Sequence, residues 1–165
     1  MRTRTLVSVF VFLIVTVLAA TLIFAADVFS GTWKLNIAKS TYSPGPAPKE
    51  GVGKMEAVDN GLKVALDGVN AAGQKAHTEY TVKFDGKDYP FKATLDGKPQ
   101  DAAPDMISAK KIDDYTFETT TKMKGKILGT SKNVYSKDGK TLTVTQTGTT
   151  PDGKPVNNKL IVEKQ

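Results

Sequence analysis

The chain has 165 residues, 39% of them hydrophobic, a formal net charge of +6 and no cysteine. That length is enough for one ordinary domain with its own core, and the missing cysteines exclude a disulfide scaffold and any thiolate metal site. Arg2 and Arg4 are the only arginines, and the lysines are scattered, with Lys110-Lys111 the sole adjacent pair. Without arginine forks or interleaved exposed aromatics, that charge reads as a solvated surface and not as a nucleic-acid face.

The N-terminus comes first in chain order. Met1-Arg2-Thr3-Arg4 is a short cationic start, Leu6 to Phe24 carries no charge, and Ala25-Ala26 precede Asp27. This is the three-part layout of a secretory signal. A cut after Ala25 divides the chain into a signal, 1–25, and a mature domain, 26–165. The uncharged run of 19 residues is also just long enough to span a bilayer, so a retained anchor is the alternative. Cleavage predicts a periplasmic or extracellular protein with no stable membrane insertion.

Beyond residue 26 no stretch shows a sustained helical apolar period. Period-two segments appear instead. Leu62, Val64 and Leu66 alternate with polar neighbours, as do Tyr80, Val82 and Phe84, and Leu142 and Val144. Such alternation marks antiparallel strands with one buried face. Asn60-Gly61 and five Asp-Gly pairs, at 67, 85, 96, 138 and 152, supply the positive φ values of tight hairpins. The pattern predicts about ten strands, near 31–36, 53–59, 62–69, 75–84, 88–94, 105–112, 115–124, 126–136, 141–149 and 156–164. A meander of that length must close or split, because a long open sheet leaves its edges exposed. We therefore expect an all-β, single up-and-down antiparallel barrel, with a sandwich as the alternative.

Two further patterns stand out. Residues 62–84 and 142–164 align at an offset of 80, pairing Leu62 with Leu142, Val64 with Val144, Gly68 with Gly148 and Val82 with Val162. Each copy reads as a strand–loop–strand hairpin. Ser43-Pro44-Gly45-Pro46-Ala47-Pro48-Lys49 carries prolines at alternate positions. It predicts an extended strap, either across one barrel mouth or as a stiff connector.

The domain opens with Gly31-Thr32-Trp33-Lys34-Leu35. Gly-x-Trp at the first strand resembles the calycin signature shared by lipocalins and fatty-acid-binding proteins. The whole mature chain resembles small exported bacterial lipocalin-like proteins of unassigned activity. That likeness rests on 31–36, Lys39-Ser40, the proline strap, the Asp138–Val144 string and Asp152–Asn158. It implies a barrel whose Trp33 plugs the closed end beneath a cation from the last strand, here Lys159 or Lys164. Gly31 and Trp33 are then structural signature residues. Fatty-acid-binding proteins hold a carboxylate with arginine, which this mature chain lacks.

Candidate chemistry is sparse. His77, the only histidine, shares strand parity with Glu79, Thr81 and Lys83, the polar face. A single histidine without cysteine makes a poor zinc site, so no metal and no cofactor are expected. Asp113-Asp114, Asp85 and Asp88 fall where turns are expected, and turn acids bond local backbone. No serine has a nucleophile elbow. No enzyme is expected. The aromatics Tyr80, Phe84, Phe91, Phe117 and Tyr135 have inward parity and are the candidate ligand-binding residues, suited to a mostly apolar cavity. The expected partner is a small hydrophobic or amphipathic ligand, neutral or weakly polar. The alternative is a filled barrel acting as a structural or protein-interaction module of the envelope.

Overall fold

In the computed structural model, residues 28–150 and 153–165 are described. The expected signal, its cut before Ala26 and the Asp152 half of the last Asp-Gly pair lie outside the described residues. Eleven strands follow in order: β1 (Gly31–Thr41), β2 (Glu50–Val58), β3 (Gly61–Val69), β4 (Lys75–Lys83), β5 (Tyr89–Leu95), β6 (Lys98–Pro99), β7 (Met106–Lys111), β8 (Thr116–Met123), β9 (Lys126–Tyr135), β10 (Thr141–Thr149) and β11 (Pro155–Lys164). All pairings are antiparallel, and no described residue is helical.

The sheet closes on itself. β1 pairs with both β2 and β11, and β4 pairs with both β3 and β5. The ring runs β1–β2–β3–β4–β5–β7–β8–β9–β10–β11 and back to β1, with β6 attached only to β5. The protein is thus a closed up-and-down barrel of ten strands, the architecture of lipocalins and fatty-acid-binding proteins. Closure leaves no long edge except at one seam. β5 and β7 share only the pairs Tyr89↔Ile107 and Pro90↔Met106 before the chain diverges through β6.

Alternation decides what faces inward. Trp33 lies opposite Gly53, Gly53 opposite Leu66, and Leu66 opposite Thr78, so these side chains share one face. On the far wall Leu142 stands opposite both Tyr135 and Val162. Their outward neighbours, such as Lys34, Lys54, Lys63 and Lys132, are exposed. Burying the inward set at about 25 cal/mol per Å² of apolar surface drives closure.

Besides the added two-residue β6 and the earlier start of β2 at Glu50, two features depart from the sequence reading. β1 runs to Thr41 and not to residue 36. Its register slips between Asn36 and Thr41, a bulge opposite Ile161 and Lys159. There Ser40 Oγ donates to the Asn36 carbonyl at 2.7 Å and accepts from Ile161 N–H at 2.9 Å, replacing missing ladder bonds. The small Ala38 followed by polar Lys39-Ser40 hides this continuation from alternation. Asp67-Gly68 is no turn: it lies inside β3, where Gly68 faces Gly51. A Cβ at Gly68 would sit 2.7 Å from the Glu50 carbonyl oxygen, so close approach of the strands explains this glycine.

Candidate binding cavity

One end of the barrel is sealed. Val28 and Phe29 cross it before β1 begins, and Phe29 packs with Phe117 at 5.8 Å and Tyr135 at 5.0 Å between ring centroids. Trp33 is fully buried beside them, 5.2 Å from Tyr135. Its Nε1–H donates to the Phe29 carbonyl at 3.2 Å, so the indole's one polar group is satisfied inside. Above the ring lies Lys164 Nζ, 5.3 Å from the centroid. Lys164 therefore fills the place the resemblance left to Lys159 or Lys164. Gly31 makes that possible. Its φ is +136°, and a Cβ there would lie 2.6 Å from Lys164 Cε. The Gly-x-Trp pattern thus clears a path for the lysine stem and sets the indole beneath it.

The other end is open. A cavity of about 520 Å³ extends from Trp33 to the mouth. That is the size of a small-molecule site. Its floor and near wall are apolar: Trp33, Leu35, Met55, Leu66, Tyr80 and Ile107. Leu66 faces inward yet is 37% exposed, because it looks into this space. Ala102 and Pro104, from the connection after β6, line the cavity at the β5–β7 seam.

The far wall is polar in its middle. Thr119, Thr121, Ser131, Asn133 and Gln146 line it. Asn133 Nδ2 donates to the Phe117 and Ser131 carbonyls, each at 3.4 Å. No lysine among the described residues lines the cavity. Asp67 does, at the mouth, with its carboxylate turned to His77 Nδ1 at 2.7 Å on the outer face.

The five aromatics separate into two groups. Tyr80 and Phe91 line the cavity, stacked with centroids 5.6 Å apart and planes at 17°. Burial pushes the Tyr80 hydroxyl up to about 12. Phe84, Phe117 and Tyr135 lie below, in the aromatic cluster that seals the barrel, and do not line the cavity. Tyr135 instead directs its hydroxyl to Met55 Sδ at 3.2 Å. Inward parity correctly places all five inside, but parity does not report height along the barrel axis.

The remaining candidates take structural positions. His77 sits on the outer face between Asp67 and Glu79. Asp113 accepts from Tyr115 N–H at 2.8 Å, which holds its carboxyl below the usual range. Asp85 is lowered likewise, first by Lys87 N–H at 3.0 Å. Asp88 takes the Lys122 ammonium at 2.7 Å. The proline strap lies at the mouth end but none of residues 43–49 lines the cavity; the connector reading fits it.

No protein-family model matches this chain, and no curated protein matches it.

Proposed function

We propose that this chain is an exported, lipocalin-like binding protein of the bacterial envelope. It holds a small neutral or weakly polar hydrophobic molecule non-covalently and performs no chemistry on it. The observation that carries this reading is the open cavity, apolar at its base, hydroxyl- and amide-bearing on one wall, with no cationic side chain among the described residues lining it. A carboxylate ligand would enter without a counter-charge and lose its hydration, which costs far more than a neutral group does.

The N-terminal signal pattern supports export to the periplasm or beyond. The outer-face position of His77 and the turn positions of the acids support binding over catalysis. Native mass spectrometry of gently purified protein tests the reading. We expect a fraction of the protein to carry an uncharged small molecule, released on denaturation. Protein at bare mass both before and after incubation with neutral hydrophobic compounds contradicts it.

A further inference from the structure

Four inward-facing polar residues share one rung of the barrel. Thr119 pairs with Ser131, Ser131 with Gln146, and Gln146 with Asn158. The rung spans β8 to β11 above the apolar floor. Its hydrogen bonds have a fixed direction. The backbone N–H of Ser43 meets the Asn158 side chain at 2.9 Å. A backbone N–H only donates, so the atom that it meets is Asn158 Oδ1. The other Asn158 atom is then Nδ2, which donates to Gln146 at 3.1 Å. That partner must be Oε1. What remains of Gln146 is Nε2, a donor with no partner among the described residues, on a side chain that lines the cavity.

We propose that Gln146 Nε2 is the cavity's fixed hydrogen-bond donor, and that the ligand offers it a neutral acceptor, the carbonyl oxygen of a ketone, ester, amide or quinone. Ser131 and Thr119 flank it with hydroxyls that turn to donate or accept, so they adapt to the rest of the ligand. Gln146 does not adapt: the Ser43 backbone imposes its polarity through two amides. A ligand without an acceptor at that height leaves a desolvated N–H₂ unpaired, and sites of this kind reject such analogues.

This inference rests on the cavity being a site for neutral molecules, and the test separates the two. Equilibrium dialysis of the mature protein measures 2-acetylnaphthalene, which carries one carbonyl acceptor, and 2-isopropylnaphthalene, which has a similar shape and no polar atom. Gln146→Leu is expected to weaken the ketone about tenfold, the worth of one such bond, and to leave the hydrocarbon unchanged or tighter. A second variant, Asn158→Asp, still accepts from Ser43 N–H but has no N–H for Gln146. Gln146 then turns its amine to the carboxylate and shows its oxygen to the cavity. Ketone binding falls, and 2-naphthol, a hydroxyl donor, gains on the ketone relative to wild type. A merely structural role for the rung does not exchange that preference. Binding of both naphthalenes with their ratio unmoved by Gln146→Leu overturns this inference alone. Failure of wild type to bind either one overturns the binding reading and this inference with it.

Discussion

Trp33 meets several constraints at once. It is buried, its N–H is satisfied by Phe29, and its face is covered by Lys164. Truncating a large buried aromatic costs about 3–5 kcal/mol, so Trp33→Ala should lower stability by that amount in denaturant melts. A loss below about 1 kcal/mol would show that the sealed end does not depend on it. Tyr80 gives a second test at this scale. Its hydroxyl ionises near pH 10 in the unfolded chain and near 12 in the fold. Between those values the unfolded chain binds fewer protons than the native one, so stability falls as pH rises through the window. The loss is at most about 2–3 kcal/mol. Tyr80→Phe should remove that part of the alkaline loss, seen as a smaller drop in denaturant midpoint between about pH 9 and about pH 11. The indole was legible in the sequence because Gly-x-Trp is a short local pattern. The role of Gln146 was not. All five threonines of β10 fall on its outward face, so alternation sets Gln146 inward with Leu142 and Val144, but it does not report the Ser43–Asn158–Gln146 bonds that orient the amide.

At the scale of strands and hairpins, turn chemistry fixed most of the boundaries. Asp96-Gly97 shows the positive φ values, 50° and 77°, that tight hairpins require. Lys124-Gly125 has φ values of 50° and 78° without the Asn or Asp that usually announces such a turn. Glycine carries two meanings here, and sequence alone does not tell them apart. At Gly97 it supplies a positive φ, and a Cβ there would meet nothing; at Gly148 a Cβ would meet the Leu128 carbonyl oxygen at 2.2 Å. The offset of 80 has a structural counterpart. Leu62 and Leu142 are each 1% exposed, and the facing glycines Gly51↔Gly68 on one wall match Gly129↔Gly148 on the other. The loops match too: Gly73 N–H donates to Asn70, and Gly153 N–H to Thr150. Gly148→Ala must push two strands apart and should cost about 1–3 kcal/mol, as overpacking does. A thermal melt unchanged from wild type would show that the strands yield freely at this pair.

For the whole molecule, closure of ten strands followed from period-two segments and short turns, because a meander that long has no stable open form. The cavity did not follow, since alternation reports which face a side chain takes and not whether facing side chains meet. The interior fills only at one end, where Phe29, Trp33, Phe117 and Tyr135 crowd together. Toward the mouth the inward positions include Gly51, Gly129, Gly148 and small hydroxyl residues, and the space stays open. Export has its own test: protein secreted from a bacterial host should have a mass beginning at Ala26, and a membrane-bound species retaining Arg2 would establish the anchor instead. The central claim is that this cavity binds a neutral molecule. Calorimetric titration of delipidated mature protein with a straight-chain alcohol and the acid of the same length tests it most directly. We predict micromolar binding of the alcohol, no strong preference for the acid, and the same result in His77→Ala, whose side chain lies on the outer face. Nanomolar binding of the acid with a hundredfold preference, about 2.7 kcal/mol, would demand a buried cation that no described residue lining this cavity supplies, and would contradict the account.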